Sequence, residues 1–284
     1  MMLRPRIIPC LLVKEKGLVK TVKFSKPKYV GDPINAVRIF NEKEVDELIV
    51  LDIDATVEKR APDMNMIRHL AAECRMPLCY GGGVKTSDQI QRIISLGVEK
   101  VAISSAALEN PHLITEASAT VGNQSLVVIM DVKRRFPSGK YEVRTRNGRN
   151  RTGKHPLEFA QEMEKLGAGE IVINSIDNDG TMKGYDLKLI RQIRDAVDVP
   201  VTALGGAGSV HDIGKLISEC DVSGAAAGSL FVFKGPYKAV LINYPGRPEK
   251  DALIPNKLTT AEYLKLPTSH NSDTFQGFNE AFSN

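Results

Sequence analysis

The chain carries its own half-copy. Glu47-Leu48-Ile49-Val50-Leu51-Asp52 returns as Glu170-Ile171-Val172-Ile173-Asn174-Ser175, Gly81-Gly82-Gly83 as Gly205-Gly206-Ala207-Gly208, and Ile8 to Lys14 as Val127 to Lys133. Self-similarity at a near-constant spacing constrains a fold more than composition does, because both copies must build the same unit and pack against each other. Each copy reads as short β-branched runs alternating with stretches of helical period. The candidate strands are residues 6–12, 47–52, 77–80, 100–104, 125–131, 170–175, 200–204 and 222–227, with helices over 33–43, 63–75, 87–96 and 157–166 among those between. Eight βα units imply a parallel sheet closed into a (βα)8 TIM barrel with a half-barrel internal repeat, and the twofold predicts paired features on opposite sides of one mouth.

A length of 284 residues suits one such barrel. Its expected extent is residues 1–243. Residues 244–284, rich in Pro, Asn, Ser and Thr, read as a polar tail, either poorly ordered or a docking arm anchored by Phe275, Phe278 and Phe282. No apolar run approaches the ~20 residues of a membrane span. The opening residues, with Pro9 in the apolar run and no small-residue cleavage site, read as a buried first strand rather than a signal peptide. Cys10, Cys74, Cys79 and Cys220 show neither a C-x-x-C pair nor nearby histidines, which argues against zinc and for a reducing, cytoplasmic setting. The net charge of +4 is too mild for a nucleic-acid binder.

The chemistry-bearing residues gather at strand ends. Both glycine turns follow a strand and precede a helix, where backbone N–H groups can approach an anion and the helix dipole favours negative charge. Ser104 and Ser105 on strand four would complete one site, with Gly82 and Gly83. Gly228 and Ser229 on strand eight would complete the other, with Gly205, Gly206 and Gly208. Two such turns related by the repeat predict a doubly phosphorylated ligand. Of the carboxylates at strand ends (Asp52, Asp54, Asp131, Asp177 and Asp179), Asp131 is the best catalytic candidate because a long loop, 132–153, follows it. Asp52 and Asp177 could equally cap a helix or hold a loop. Asn174 and Thr181 are candidate hydrogen-bonding groups, and Asp52, Asn174, Asp179 and Gly180 join the expected ligand-binding set. Two basic loops, with lysines at 14, 16, 20, 23, 26 and 28 and Lys133, Arg134, Arg135, Arg144, Arg146, Arg149, Arg151 and Lys154, would raise the local concentration of a small polyanion. At the other end, Arg6, Glu47, Lys100 and Glu170 each open a strand: they are either solvated stability pairs or a ring about the barrel axis.

Together these motifs resemble the cyclase subunit of imidazole-glycerol-phosphate synthase, over roughly residues 3–235. The resemblance is carried by Arg6-Ile7-Ile8-Pro9-Cys10-Leu11, Gly31-Asp32-Pro33, Leu51-Asp52-Ile53 with Glu58-Lys59-Arg60, the triple glycine, and the run from Ala106 to Pro111. It continues through Asp131-Val132-Lys133-Arg134, the run from Ser175 through Thr181 to Asp186, and Gly205 to Gly208. It implies a glutaminase subunit on the N-terminal face, ammonia passing through the barrel, and a bisphosphorylated ribonucleotide at the C-terminal face. It implies further that Arg6, Glu47, Lys100 and Glu170 form the ammonia gate, that Lys20 is the mobile-loop lysine and that Asp131 is the general acid. No cofactor or metal is implied.

One position departs from that family. Its second catalytic aspartate, at the end of strand one, is here Leu12, which cannot exchange a proton. With Leu11-Leu12-Val13-Lys14 and the run from Ala239 to Pro245, the chain is similar to a cyclase-like paralogue of surface-polysaccharide pathways. That likeness implies ammonia supplied to a separate sugar amidotransferase that converts an acetamido to an acetamidino group. The alternatives are the histidine-pathway cyclase itself, making imidazole glycerol phosphate and the aminoimidazole carboxamide ribonucleotide, and a barrel that only binds a phosphorylated ligand.

Overall fold

In a computed structural model, described over residues 4–235 and 237–253, eight parallel strands close on themselves. They are Arg6–Lys14, Leu48–Asp52, Leu78–Gly81, Lys100–Ile103, Leu126–Arg134, Glu170–Ser175, Val201–Leu204 and Gly224–Ala227. Each pairs with the next, and the first pairs with the last, Ile8 beside Ala226. The expected (βα)8 barrel is the observed one, and helices lie at the four expected places, Pro33–Glu42, Met64–Glu73, Ser87–Ser95 and Pro156–Lys165. Asp32, Asp63, Thr86, Asp186 and Ser209 cap helices through their side chains, so the chain turns from strand to helix where the sequence supplies an acceptor.

Strand periodicity divides the core in two. Ile7, Leu11 and Val13, with Val128, Met130 and Val132, face the helices in the larger apolar layer. Ile8, Cys10, Ile49, Cys79, Ala102, Val127, Ile129, Val172, Leu204 and Ala226 face inward and fill the lumen, with Leu12 and Leu51 partly buried at its upper end. The inward positions therefore form layers. Arg6, Glu47 and Glu170 begin the same alternations that end at Leu12, Leu51 and Asn174.

The two basic loops are ribbons. Strands one and five run past their expected ends to Lys14 and Arg134 and turn back as Gly17–Val22 with Ser25–Gly31, and as Tyr141–Thr145 with Asn150–Arg151. Leu18-Val19-Lys20-Thr21-Val22 and Tyr141-Glu142-Val143-Arg144-Thr145 carry the β-branched alternation of strands, which their charge hides from a reading by composition.

The structured unit also continues beyond residue 243. Tyr244 stacks at 5.3 Å from the Phe231 ring, donates to the Ile7 carbonyl at 2.8 Å and accepts from the Asp46 N–H at 3.2 Å. A short helix follows, Arg247–Ala252, and its Lys250 reaches Asp46 at 2.7 Å. The tail boundary expected at 243 thus cuts through a segment that packs on the barrel. The anchors proposed at Phe275, Phe278 and Phe282 lie outside the described residues.

Candidate active site at the barrel mouth

At the C-terminal end of the strands the two ribbons roof a cavity. Its floor is Cys10, Leu12, Leu51, Ala102, Ile129 and Leu204, its rim the two glycine turns, and its roof Phe24 with Arg146 and Asn147. The ribbons are tied across the mouth to elements far away in sequence. Thr21 Oγ1 and the Phe24 N–H donate to Asp179 Oδ2 at 2.8 and 3.1 Å, fixing the first ribbon to the loop after strand six. Asn147 donates to the Ile53 carbonyl at 2.8 Å, and the Arg146 N–H to Ser105 Oγ at 3.3 Å, fixing the second to strands two and four.

Asp131, at the end of strand five, accepts from Asn174 Nδ2 at 2.9 Å. Burial, with Asp179 nearby, outweighs that hydrogen bond and raises the Asp131 carboxyl to about 7. A carboxyl poised there can give and take a proton near neutral pH. Lys20 is folded inward rather than extended: its buried ammonium donates to the Cys10 carbonyl at 2.5 Å, and burial lowers its pKa. Gly228 lies beneath it, where a Cβ would stand 2.5 Å from Lys20 Nζ.

Asp52 and Asp179 line the cavity, but their carboxylates are already engaged. Asp52 accepts from the Asp54 and Ala55 N–H groups at 3.1 and 3.0 Å and faces Arg60 at 3.4 Å. Both thus hold loops at the rim while lining the cavity. Asp177 has the same character, accepting from the Arg134 N–H at 2.8 Å.

Gly82, Gly83, Ser104, Ser105, Gly180, Gly205, Gly206, Gly228 and Ser229 all line the cavity as expected. Gly208 does not line it. Its N–H is taken by Asp212 at 2.9 Å, within a capping box that Ser209 and Asp212 build on the helix Val210–Cys220. This corrects the expected set: the long helix after strand seven caps its own first turn, and the donors left at that rim lie at Gly205–Gly206 and Gly228–Ser229. The glycines have a steric reason. Gly206 has φ +113°, and a Cβ there would stand 2.1 Å from the Gly184 carbonyl. At Gly82 the corresponding distance is 2.4 Å, to the Asp52 carbonyl.

Most of the basic loop residues are already paired. Arg144, Arg151 and Arg135 converge on the buried Glu142 at 3.2, 3.4 and 3.9 Å, Arg134 meets Asp186 at 3.0 Å and Lys154 meets Glu162 at 2.7 Å. Of the two clusters, Lys20 and Arg146 line the cavity. In the second loop the expected cationic funnel is thus largely a set of ion pairs that fasten its ribbon, and in the first Lys14 and Lys16 pair with Asp54 and Asp63. Composition gave no signal for Phe24, Thr21, Asn147 or Leu51; the ribbon alternation could have pointed to the first two.

At the opposite end of the lumen the four strand-opening charges meet. Arg6 bridges Glu47 and Glu170, the latter at 2.7 Å, and Lys100 reaches Glu47 and Glu170 at 2.9 Å each. Thr202 donates to Glu170 at 2.6 Å. Burial would raise the Glu170 carboxyl, but Arg6 and Lys100 overcome it and hold the group below its ordinary value. The charges close a ring across the axis. Among the described residues no cluster of His, Cys, Asp and Glu is arranged to hold a metal, and no helix is long and apolar enough to cross a membrane.

A family described as "Histidine biosynthesis protein" matches residues 6–237. "Putative imidazole glycerol phosphate synthase subunit HisF" of Leptospira borgpetersenii is 56% identical over 254 residues, 89% of this chain and 100% of that protein. "Putative imidazole glycerol phosphate synthase subunit hisF2" of Pseudomonas aeruginosa is 54% identical, covering 86% of this chain and 97% of its own. "Imidazole glycerol phosphate synthase subunit HisF" of Alkaliphilus metalliredigens is 42% identical over 230 residues, 81% of this chain and 91% of its own. These names favour the histidine-pathway alternative; none mentions a polysaccharide or an acetamidino sugar. With the match spanning the barrel from the charged ring to the mouth, the chain belongs to the HisF-like cyclase-subunit family of histidine biosynthesis proteins.

Proposed function

We propose that this chain is the synthase subunit of a glutamine-dependent pair. A glutaminase docks over the ring of Arg6, Glu47, Lys100 and Glu170, and its ammonia enters the lumen there to meet a bisphosphorylated ribonucleotide held between the two glycine rims. The observation that carries this reading is the single axis: a charged ring, an apolar lumen and a cavity lie in line. An apolar lumen suits neutral ammonia and resists ammonium, whose charge would lose its hydration without a partner. A cytoplasmic setting and a heterodimer with the glutaminase are part of the proposal.

The names of the relatives support imidazole-glycerol-phosphate formation as the reaction at the mouth; release of the aminoimidazole carboxamide ribonucleotide is part of the same reading. In that reading Asp131 moves the proton, and Lys20 swings from the Cys10 carbonyl toward the ligand. One observation favours a second reading. Leu12 stands where the twofold places the partner of Asp131, so ring closure lacks its second carboxylate. Ammonia would then leave the mouth for a separate amidotransferase acting on an acetamido sugar. Loss of a positioned acid or base costs about 10²–10⁴-fold. Turnover of the ribonucleotide with free ammonia decides between them. Brisk turnover supports the histidine-pathway cyclase. Turnover depressed by that factor and partly recovered in Leu12→Asp supports ammonia supply. A glutaminase that neither binds nor is activated leaves the barrel as a ligand-binding scaffold.

A further inference from the structure

Among the described residues seven large hydrophobic side chains stand exposed, and six of them belong to hairpins at one end of the molecule. Val22 and Tyr29 lie on the first ribbon and Phe136 at the turn of the second. Tyr237, Val240 and Leu241 lie on or just after a short hairpin, Phe233–Lys234 with Ala239–Val240. Ile39, on the helix Pro33–Glu42, is the exception. The ribbons leave the mouth ends of strands one and five, and the short hairpin follows strand eight after the turn of helix Ser229–Val232. Lys28 lies over the Phe233 ring at 5.5 Å, so the short hairpin abuts the first ribbon.

The three hairpins share one composition. Each presents an aromatic side chain to solvent: Tyr29 is 67% exposed, Phe136 99% and Tyr237 95%. Each also carries two exposed lysines, Lys23 with Lys26, Lys133 with Lys140, and Lys234 with Lys238. The ion pairs of the ribbons are made by other side chains, and among the described residues none of these six lysines pairs with a carboxylate. Exposed apolar residues scattered singly need no explanation; gathered at one end beside unpaired cations they mark a binding face.

We propose that the mouth end of this barrel docks on an anionic lipid surface, with Phe136 and Tyr237 seated among the headgroups and the lysines against lipid phosphates. A protein partner concentrates its anchors at one packed centre. Here the anchors are spread over separate turns, an arrangement that suits a planar, deformable surface. Aromatic rings favour the headgroup level. Lysines beside them draw on the negative surface potential, each strengthening binding roughly fivefold. Docking of this kind needs no membrane-crossing segment. It is also independent of the bisphosphate reading, since Tyr29, Phe136 and Tyr237 lie outside the cavity lining that holds the glycine rims.

The chain has no tryptophan, so one placed at a turn reports alone. Phe136→Trp and Tyr237→Trp should each shift their emission to shorter wavelength on vesicles of phosphatidylglycerol and phosphatidylcholine in equal parts. Ile39→Trp, on the flank of the barrel, should not. The unmodified full chain should co-sediment with those vesicles and not with phosphatidylcholine alone, and less so as salt rises. The combined variant Lys133→Gln/Lys140→Gln/Lys234→Gln/Lys238→Gln should lower the partition coefficient by on the order of several hundredfold. Phe136→Ser with Tyr237→Ser should lower it by about tenfold. Absence of the unmodified chain from the anionic vesicle pellet would overturn the proposal. So would equal binding to phosphatidylcholine, or binding that leaves the tryptophans at both turns unshifted.

Discussion

Asn174 donates its side-chain amide to Asp131 across the register of strands five and six, and the twofold-related pair on strands one and two is Leu51 and Leu12. One hydrogen-bonded couple thus faces one apolar couple across a mouth whose frame is otherwise repeated.

The raised Asp131 carboxyl makes stability depend on pH. Its folded value of about 7 lies above the ordinary 3.8, so the fold favours the protonated form. That contribution is complete below about pH 4 and is lost as pH rises toward and through 7. Asp131→Asn should therefore be more stable than the parent at pH 8, on the order of 1–2 kcal/mol, with the difference shrinking toward pH 4. Urea unfolding at the two pH values measures it; a gain that does not change with pH would mean that Asp131 is not held protonated.

At the ring, Glu170→Gln leaves Arg6 and Lys100 sharing Glu47 alone. Removing one partner from a buried ion pair costs about 3–5 kcal/mol, and a sizeable fraction of that should appear as a lower unfolding midpoint. On the proposed function, glutamine-driven turnover should fall more than turnover driven by free ammonia. Equal losses in the two assays would detach the ring from ammonia passage.

Asp179 is expected to act as the clasp of the first ribbon. Asp179→Ala removes the acceptor for Thr21 and Phe24, two hydrogen bonds worth about 1–3 kcal/mol each when the acceptor is charged. Limited proteolysis should then cut within residues 17–31 at rates well above those of the parent, with the barrel intact by circular dichroism. An unchanged cleavage pattern would show that other contacts hold the ribbon.

The anion rims can be probed without disturbing the backbone. Gly206→Val should destabilise the fold, because its Cβ meets the Gly184 carbonyl, so weakened ligand binding in that variant would be ambiguous. Ser105→Ala and Ser229→Ala each remove a hydroxyl at the cavity wall. Each should weaken bisphosphate binding by about three- to tenfold, the value of one hydrogen bond to a charged group discounted for remaining N–H donors. Unaltered affinity in both would move the anions elsewhere.

Much of this was written along the chain. The repeat, the eight strand–helix alternations and the inward spacing of Arg6, Glu47, Lys100 and Glu170 follow from side-chain period, a local property. The helix caps and glycine turns are local too, since an acceptor or a missing Cβ acts within a few residues. Leu12 is legible as a departure, because one position can be set against its repeat. What only tertiary structure decided is which polar groups are left unspent. Asp52, Asp177 and Asp179 look alike in sequence to Asp131, yet three are consumed by loop N–H groups or a distant ribbon and one is left to titrate near neutrality. Gly208 reads as an anion donor until Asp212 occupies its N–H, and the arginines of the second loop read as a funnel until Glu142 gathers three of them. Spacing along the chain fixes where a group sits on its own strand; its burial and its competitors come from strands and loops folded in from elsewhere, and those set its chemistry.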